Sequence, residues 1–129
     1  MADNPVPPVG QIGWIDLTVP NADALREFYA DVTGWSATPL SMGEYNDYCM
    51  TPPATDKPVA GVCHARGANA DAPPVWIIYI MVADLDESVR RCLDRGGKIR
   101  MPERVMPGSG RYCIIEDPAG AVAGLFQAQ

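Results

Sequence analysis

The sequence predicts an α+β fold built from one βαβββ unit written twice, and three observations lead there. First, Val59-Ala60-Gly61-Val62-Cys63-His64-Ala65 returns 63 residues later as Val122-Ala123-Gly124-Leu125-Phe126-Gln127-Ala128. Second, Val19 and Val82, Asn21 and Asp84, and Gly34 and Gly97 keep that offset, and Tyr48-Cys49-Met50 matches Tyr112-Cys113-Ile114 at offset 64. Third, each copy runs from an alternating strand-like segment into a helical stripe and then three more strand-like segments. The chain is therefore expected to be a single domain over residues 1–129, with module one at about 10–66 and module two at about 74–128.

The elements follow in order. Ile12–Val19 mixes β-branched and aromatic residues between turn signals and reads as a strand. Asn21 is expected to cap a helix whose stripe is Leu25, Phe28, Tyr29 and Val32, ended by Gly34. Short strands are predicted at Trp35–Leu40, Asp47–Thr51 and Val59–Ala65, and Arg66–Pro74 is the joint. Val75–Val82 opens the second copy, and Asp84-Leu85-Asp86-Glu87 has the spacing of a capping box. Leu85, Val89, Cys92 and Leu93 form the second stripe, stopped by Gly96-Gly97. Strands at Lys98–Met101, Arg111–Glu116 and Ala121–Gln127 complete it, the last two joined by a turn at Asp117-Pro118-Ala119-Gly120.

Composition narrows the function. Of 129 residues, 47% are hydrophobic and 20% charged, as in an ordinary globular protein, and no apolar run is long enough to span a membrane. Met1-Ala2-Asp3-Asn4-Pro5 has neither the basic nor the apolar part of a secretory leader, which points to the cytoplasm. A net charge of −6 without a Lys/Arg cluster speaks against nucleic acid and anionic membranes as partners. Cys49, Cys63, Cys92 and Cys113 show no C-x-x-C spacing and read as reduced, mostly buried thiols. With His64 as the one histidine, histidine-rich metal centres and H-E-x-x-H metalloprotease sites are excluded.

The first strand and helix through Phe28-Tyr29 and Gly34-Trp35, then Val82-Ala83-Asp84-Leu85 with Gly96-Gly97, and the closing Asp117-Pro118-Ala119-Gly120-Ala121 together resemble the vicinal oxygen chelate superfamily. This is the superfamily of glyoxalases, bleomycin-resistance proteins and extradiol dioxygenases. Trp76 and Tyr79, Met101-Pro102, Gly110-Arg111 and Leu125-Phe126-Gln127 make the chain most similar to members related to lactoylglutathione lyase. The resemblance implies that the two modules form a cupped eight-stranded sheet with helices outside, a ligand site inside, and a homodimer. It also implies metal ligands on the first and last strands of each module. Those positions here are Trp14, Ile77, Gly61 and Gly124, and none of these side chains can ligate a metal, so no metal or other cofactor is expected.

Taking every second residue from those positions gives the expected inward set: Trp14, Asp16, Thr18, Ile77, Tyr79, Met81, Gly61, Cys63, Gly124 and Phe126. Asp16 and Tyr79 occupy matching positions 63 residues apart and are the candidate catalytic pair, a general base and a hydrogen-bond donor or weak acid. The plainer alternative has Asp16 satisfying a backbone group or pairing with Arg111, and Tyr79 packing. Trp14, Thr18, Cys63, Ile77, Met81, Arg111 and Phe126 are the candidate ligand-binding residues, with Arg111 equally suited to a surface ion pair. Trp76 is expected under a helix, and His64 is expected to face away from the inward set.

The leading expectation is a metal-independent protein that holds a small organic molecule, by sequestration or resistance. The rival is an isomerase or lyase-type enzyme in which Asp16 and Tyr79 transfer protons. Two further possibilities are a metal held by Asp16, Cys63 and Glu116, and a non-catalytic subunit whose output is assembly.

Overall fold

The computed structural model describes residues 6–129; Met1–Pro5, where the absence of a leader was read, lie outside the described residues. The elements are β1 (Ile12–Val19), α1 (Ala22–Thr33), β2 (Ser36–Ser41), β3 (Asn46–Thr51), β4 (Ala60–His64), β5 (Ile77–Met81), α2 (Leu85–Asp94), β6 (Lys98–Met106), β7 (Gly110–Glu116) and β8 (Val122–Ala128). A short 3₁₀ turn at Gly67–Asn69 lies in the joint. The fold is α+β, with eight strands in one mixed sheet of order β2-β3-β4-β1-β5-β8-β7-β6. Each βαβββ module repeats the same pairing: its first strand lies parallel to its fourth, and the second, third and fourth form an antiparallel meander.

By compactness the chain divides into two units, one of Ile15–Trp76 and one of Ile77–Gln129 with the chain up to Trp14. In the first, α1 covers a core of Leu17, Val19, Ala22, Tyr48, Met50 and Val62. Trp76 packs there too, as expected: its Nε1 donates to the Tyr29 hydroxyl at 3.1 Å, and its ring stands edge-on to Tyr29 and Trp35. In the second unit α2 covers Leu85, Cys113 and Leu125, with Ile80, Val82, Val89 and Ile115 around them. Gly10 and Gln11 bond to Met81 within this unit, so the start of β1 runs beside β5.

The helix ends differ from one another. Asp84 caps α2, its carboxylate accepting from Glu87 N at 3.1 Å, but the Glu87 side chain turns to Arg90 and Arg91 instead of closing a capping box. Asn21 makes no side-chain cap bond to α1; its backbone carbonyl accepts from Ala24 and Leu25. Gly34 ends α1 in the left-handed conformation at φ 81°, with its N–H on the Ala30 carbonyl. The predicted α1 stripe is too wide. Leu25 and Tyr29 pack on the core, while Phe28 is 55% and Val32 63% exposed. These two lie on the flank of the line set by Ala22, Leu25 and Tyr29, and a helix on one sheet buries only the facing stripe.

β6 runs five residues past its predicted end at Met101. Pro102 argued for a break there, because proline cannot donate to a ladder. β6 is an edge strand, however, and its register with β7 slips between Ile99 and Met101 and again between Met101 and Arg104, so Pro102 falls where no ladder bond is required. The predicted turn at Asp117 forms as an Asx turn, with the Asp117 carboxylate accepting from Ala119 N at 2.8 Å and Ala121 N at 3.0 Å.

Candidate functional site

Strand alternation decides which side chains leave the helix-covered face, and the structure carries it out in both units. In the Ile77–Gln129 unit, Ile80, Val82, Cys113, Ile115 and Leu125 point to α2. The other face carries Tyr79, Tyr112 and Phe126. Tyr79 pairs in register with Gly124, Met81 with Phe126, and Phe126 with Tyr112. The Tyr79 and Tyr112 rings meet edge-on at 5.8 Å, and Tyr112 and Phe126 are nearly parallel at 6.4 Å. All three rings are half-buried, whereas Ile77 and Met81 are fully buried.

Glycine makes this aromatic surface possible. A Cβ on Gly124 would lie 2.3 Å from Tyr79 Cδ1 and 2.5 Å from Cε1, so the tyrosine ring occupies the space of the absent side chain. A Cβ on Gly110 would come within 2.1 Å of the Gln127 carbonyl and 3.0 Å of the Phe126 ring. Two glycines thus let two rings settle against the strand backbone.

In the Ile15–Trp76 unit, Asp16 stands in register with Gly61, and buried Thr18 with Cys63. Cys49 is also paired with Gly61. Burial, followed by the charges of Asp16 and Asp47, pushes the Cys63 thiol far above its ordinary range. The Cys49 thiol is raised by burial and then by Asp47. These thiols stay protonated at neutral pH and make poor nucleophiles. Asp16 is half-buried within this polar group. Trp14 is half-buried and belongs to the other unit.

Arg111 is turned to the α2 side. Its guanidinium meets Asp86 Oδ1 at 3.2 Å, Glu103 Oε2 at 3.0 Å and Gln127 Oε1 at 3.1 Å, which is the ion-paired alternative. It stands away from Tyr79 and Phe126 because odd-numbered β7 residues share the face of Cys113 and Ile115. His64 likewise takes the α1 side, its ring only 12% exposed. Its Nδ1 is 3.5 Å from Asp47, its Nε2 is 3.7 Å from Asp23, and Tyr45 stands edge-on to it. Asp23 also accepts from the Tyr48 hydroxyl at 2.5 Å, and that bond, with burial, raises the phenol's pKa.

Tyr112, Asp47 and Cys49 were missed from sequence. The same alternation rule applied to β3 and β7 finds them, but the family pattern directs attention to the first and last strands of each module. The positions that pattern assigns to a metal do not fit one. Trp14, Ile77, Gly61 and Gly124 bring no ligand atom, and the Cβ a ligand at 124 would need falls inside the Tyr79 ring. Among the described residues no three His, Cys, Asp or Glu side chains are gathered as a donor set.

The profile of the Glyoxalase/Bleomycin resistance protein/Dioxygenase superfamily matches residues 11–123. The chain belongs to that superfamily. Among its curated relatives is a Mycobacterium tuberculosis protein named "Putative glyoxylase CFP32", 33% identical over 124 residues. That alignment covers 92% of this chain and 46% of the relative. The anthracycline biosynthesis protein DnrV of Streptomyces peucetius is 29% identical over 130 residues, covering 92% of this chain and 47% of the relative. The chain thus spans about half the length of these relatives. Solved structures share the fold at lower identity. Streptomyces coelicolor methylmalonyl-CoA epimerase aligns with TM-score 0.57 at 17% identity, covering 94% of this chain and 96% of that one. The Mn(II)-bound glyoxalase of Novosphingobium aromaticivorans aligns with TM-score 0.54 at 20% identity, covering 92% and 39%. No helix among the described residues of this superfamily member is long and apolar enough to cross a membrane.

Proposed function

We propose that this chain is a metal-independent binding protein that holds a small, flat, largely apolar organic molecule on the Tyr79–Tyr112–Phe126 face. The observation that carries the reading is the Tyr79 ring lying in the space left by Gly124, edge-on to Tyr112, beside the near-parallel Tyr112 and Phe126 rings. Aromatic rings give a planar ligand a stacking surface, and the two phenols, with Arg104 in register with Tyr112, give it polar groups for orientation. The similarity to a protein of anthracycline biosynthesis supports a polycyclic aromatic ligand. Half-buried Trp14 adds apolar surface in the same unit, and buried Ile77 and Met81 lie in its core. The test is fluorescence titration with a polycyclic quinone of the anthracycline type, before and after dialysis against a chelator. Saturable, chelator-insensitive binding that weakens about tenfold in Tyr112→Ala or Phe126→Ala is expected. Binding indifferent to both substitutions would sink the reading.

A second reading is supported by register. Asp16 stands beside Gly61 and Tyr79 beside Gly124, so each module sets one acid–base candidate next to a glycine at an equivalent position. On this reading each of the two, in its own unit, is a proton-transfer group of an isomerase or lyase-type reaction. Turnover lost in both Asp16→Asn and Tyr79→Phe separates it from simple binding. The proposal includes a cytoplasmic homodimer: exposed Leu40 on β2 and Val105 on β6, the two edge strands, support pairing. A monomeric mass by light scattering would refute that part.

A further inference from the structure

We propose that the cavity between α2 and β6 is a second ligand site, built for a small organic monocation with an apolar body. The cavity is a cleft open to solvent, measures about 220 Å³ and is lined by Asp86, Val89, Ile99, Pro102, Glu103 and Cys113. It lies on the α2 side of its unit, the face opposite Tyr79, Tyr112 and Phe126, and so does not depend on the function proposed above.

Its origin is the pair of register slips in β6. Each inserts one extra residue opposite β7, and the second carries Pro102 and Glu103 across the gap between Met101 and Arg104. The inner wall is apolar: Cys113 is 1% exposed, and Val89 packs against the adjoining core. Burial, chiefly, pushes the Cys113 thiol up to about 11, so the wall stays uncharged at neutral pH.

The mouth is ionic and unbalanced. Arg111 Nη1 lies 3.2 Å from Asp86 Oδ1 and 3.1 and 3.0 Å from the two Glu103 oxygens. Arg111 Nη2 lies 3.3 Å from Asp86 Oδ2 and 3.1 Å from Gln127 Oε1. One guanidinium thus faces two carboxylates. The Asp86 and Glu103 side chains are 75% and 40% exposed, open to an incoming donor. The open apolar space suits the edge of a ring with a one-carbon arm, whose ammonium would meet the two carboxylates that share Arg111. An anion of the same shape would meet two carboxylates, and a neutral analogue would gain only the apolar part.

The experiment is an amide ¹H–¹⁵N NMR titration of the whole chain at neutral pH with benzylammonium, benzyl alcohol and benzoate. Benzylammonium is expected to shift the Val89, Glu103 and Cys113 amides saturably, with affinity about fivefold above benzyl alcohol and no saturation by benzoate. Glu103→Gln on the exposed rim should remove that fivefold preference, and Val89→Phe should fill the cavity. Because Val89→Phe risks distorting α2, the rim variant alone is decisive. Equal affinity for the alcohol and the ammonium overturns the proposal, as does the absence of saturable shifts or their clustering on Tyr79, Tyr112 and Phe126.

Discussion

Gly124→Ala is the most direct test of the aromatic face. The added methyl would sit 2.3, 2.5 and 2.9 Å from Cδ1, Cε1 and Cγ of Tyr79, all inside contact distance. Because Cγ itself is crowded, the ring must swing away as a whole, leaving its edge-on contact with Tyr112. Overpacking of this kind costs about 1–3 kcal/mol, and the lost ring pair about 0.5–1.5 kcal/mol. Alanine recovers about 0.5–1 kcal/mol over glycine in a strand. The net is a destabilisation of about 0.5–4 kcal/mol, centred at about 2 kcal/mol, at about 4 °C in Tm per kcal/mol for a chain of this size. Urea unfolding measures it, with the near-ultraviolet tyrosine signal reporting the ring. In a Tyr79→Ala background the same methyl no longer meets the ring that crowds it, so the cost should fall, giving a coupling of at least about 1 kcal/mol. Equal costs in both backgrounds would refute the argument that Tyr79 occupies the space at 124.

Other consequences are open to measurement. Asp84→Ala should cost about 1 kcal/mol by urea unfolding, while Asn21→Ala should stay within about 0.5 kcal/mol, since only Asp84 makes a side-chain cap bond. Gly110→Ala should destabilise more than Gly124→Ala, because its methyl would meet the Gln127 backbone carbonyl at 2.1 Å with φ at 150°. Hydrogen bonds from Arg90, then Arg91, hold the Glu87 carboxyl down to about 2 from an ordinary 4.5. Its contribution is therefore present above pH 4.5 and lost as pH falls toward 2, and the Glu87 side-chain NMR titration should show that midpoint. The Cys113 thiol titrates near 11 against an ordinary 9.0, so its contribution is complete below pH 9 and lost as pH rises through 11. Native Cys113 should resist a disulfide reagent at pH 8 and react once the chain is unfolded; fast native labelling would contradict this.

Much of the fold was legible because each cue was local and written twice. Alternation in Ile12–Val19, the glycine after α1 and the Asp117 turn need no distant partner to be read, and all three formed as predicted. The errors arose where distant neighbours decide. Pro102 looked like a strand end until β6 proved to be an edge with two bulges. Phe28 and Val32 have stripe spacing, yet only contact with the sheet sets how wide a stripe is buried.

The candidate site divides in the same way. Which side chains share a face follows from two-residue periodicity, so the sequence by itself separated Tyr79 and Phe126 from Leu125 and Ile80, and turned His64 toward the helix. Periodicity says nothing about where a long side chain ends. That Arg111 reaches Asp86 on α2 and Glu103 on β6, that Tyr112 joins Tyr79 to Phe126, and that the Tyr79 ring takes the room at Gly124 depend on residues 8 to 45 positions apart in the chain. Chain folding alone brings such residues together. The repeat therefore determined the elements, their order and their faces, and the tertiary structure decided which charges pair and which rings touch, because those contacts act through space between strands not adjacent in sequence.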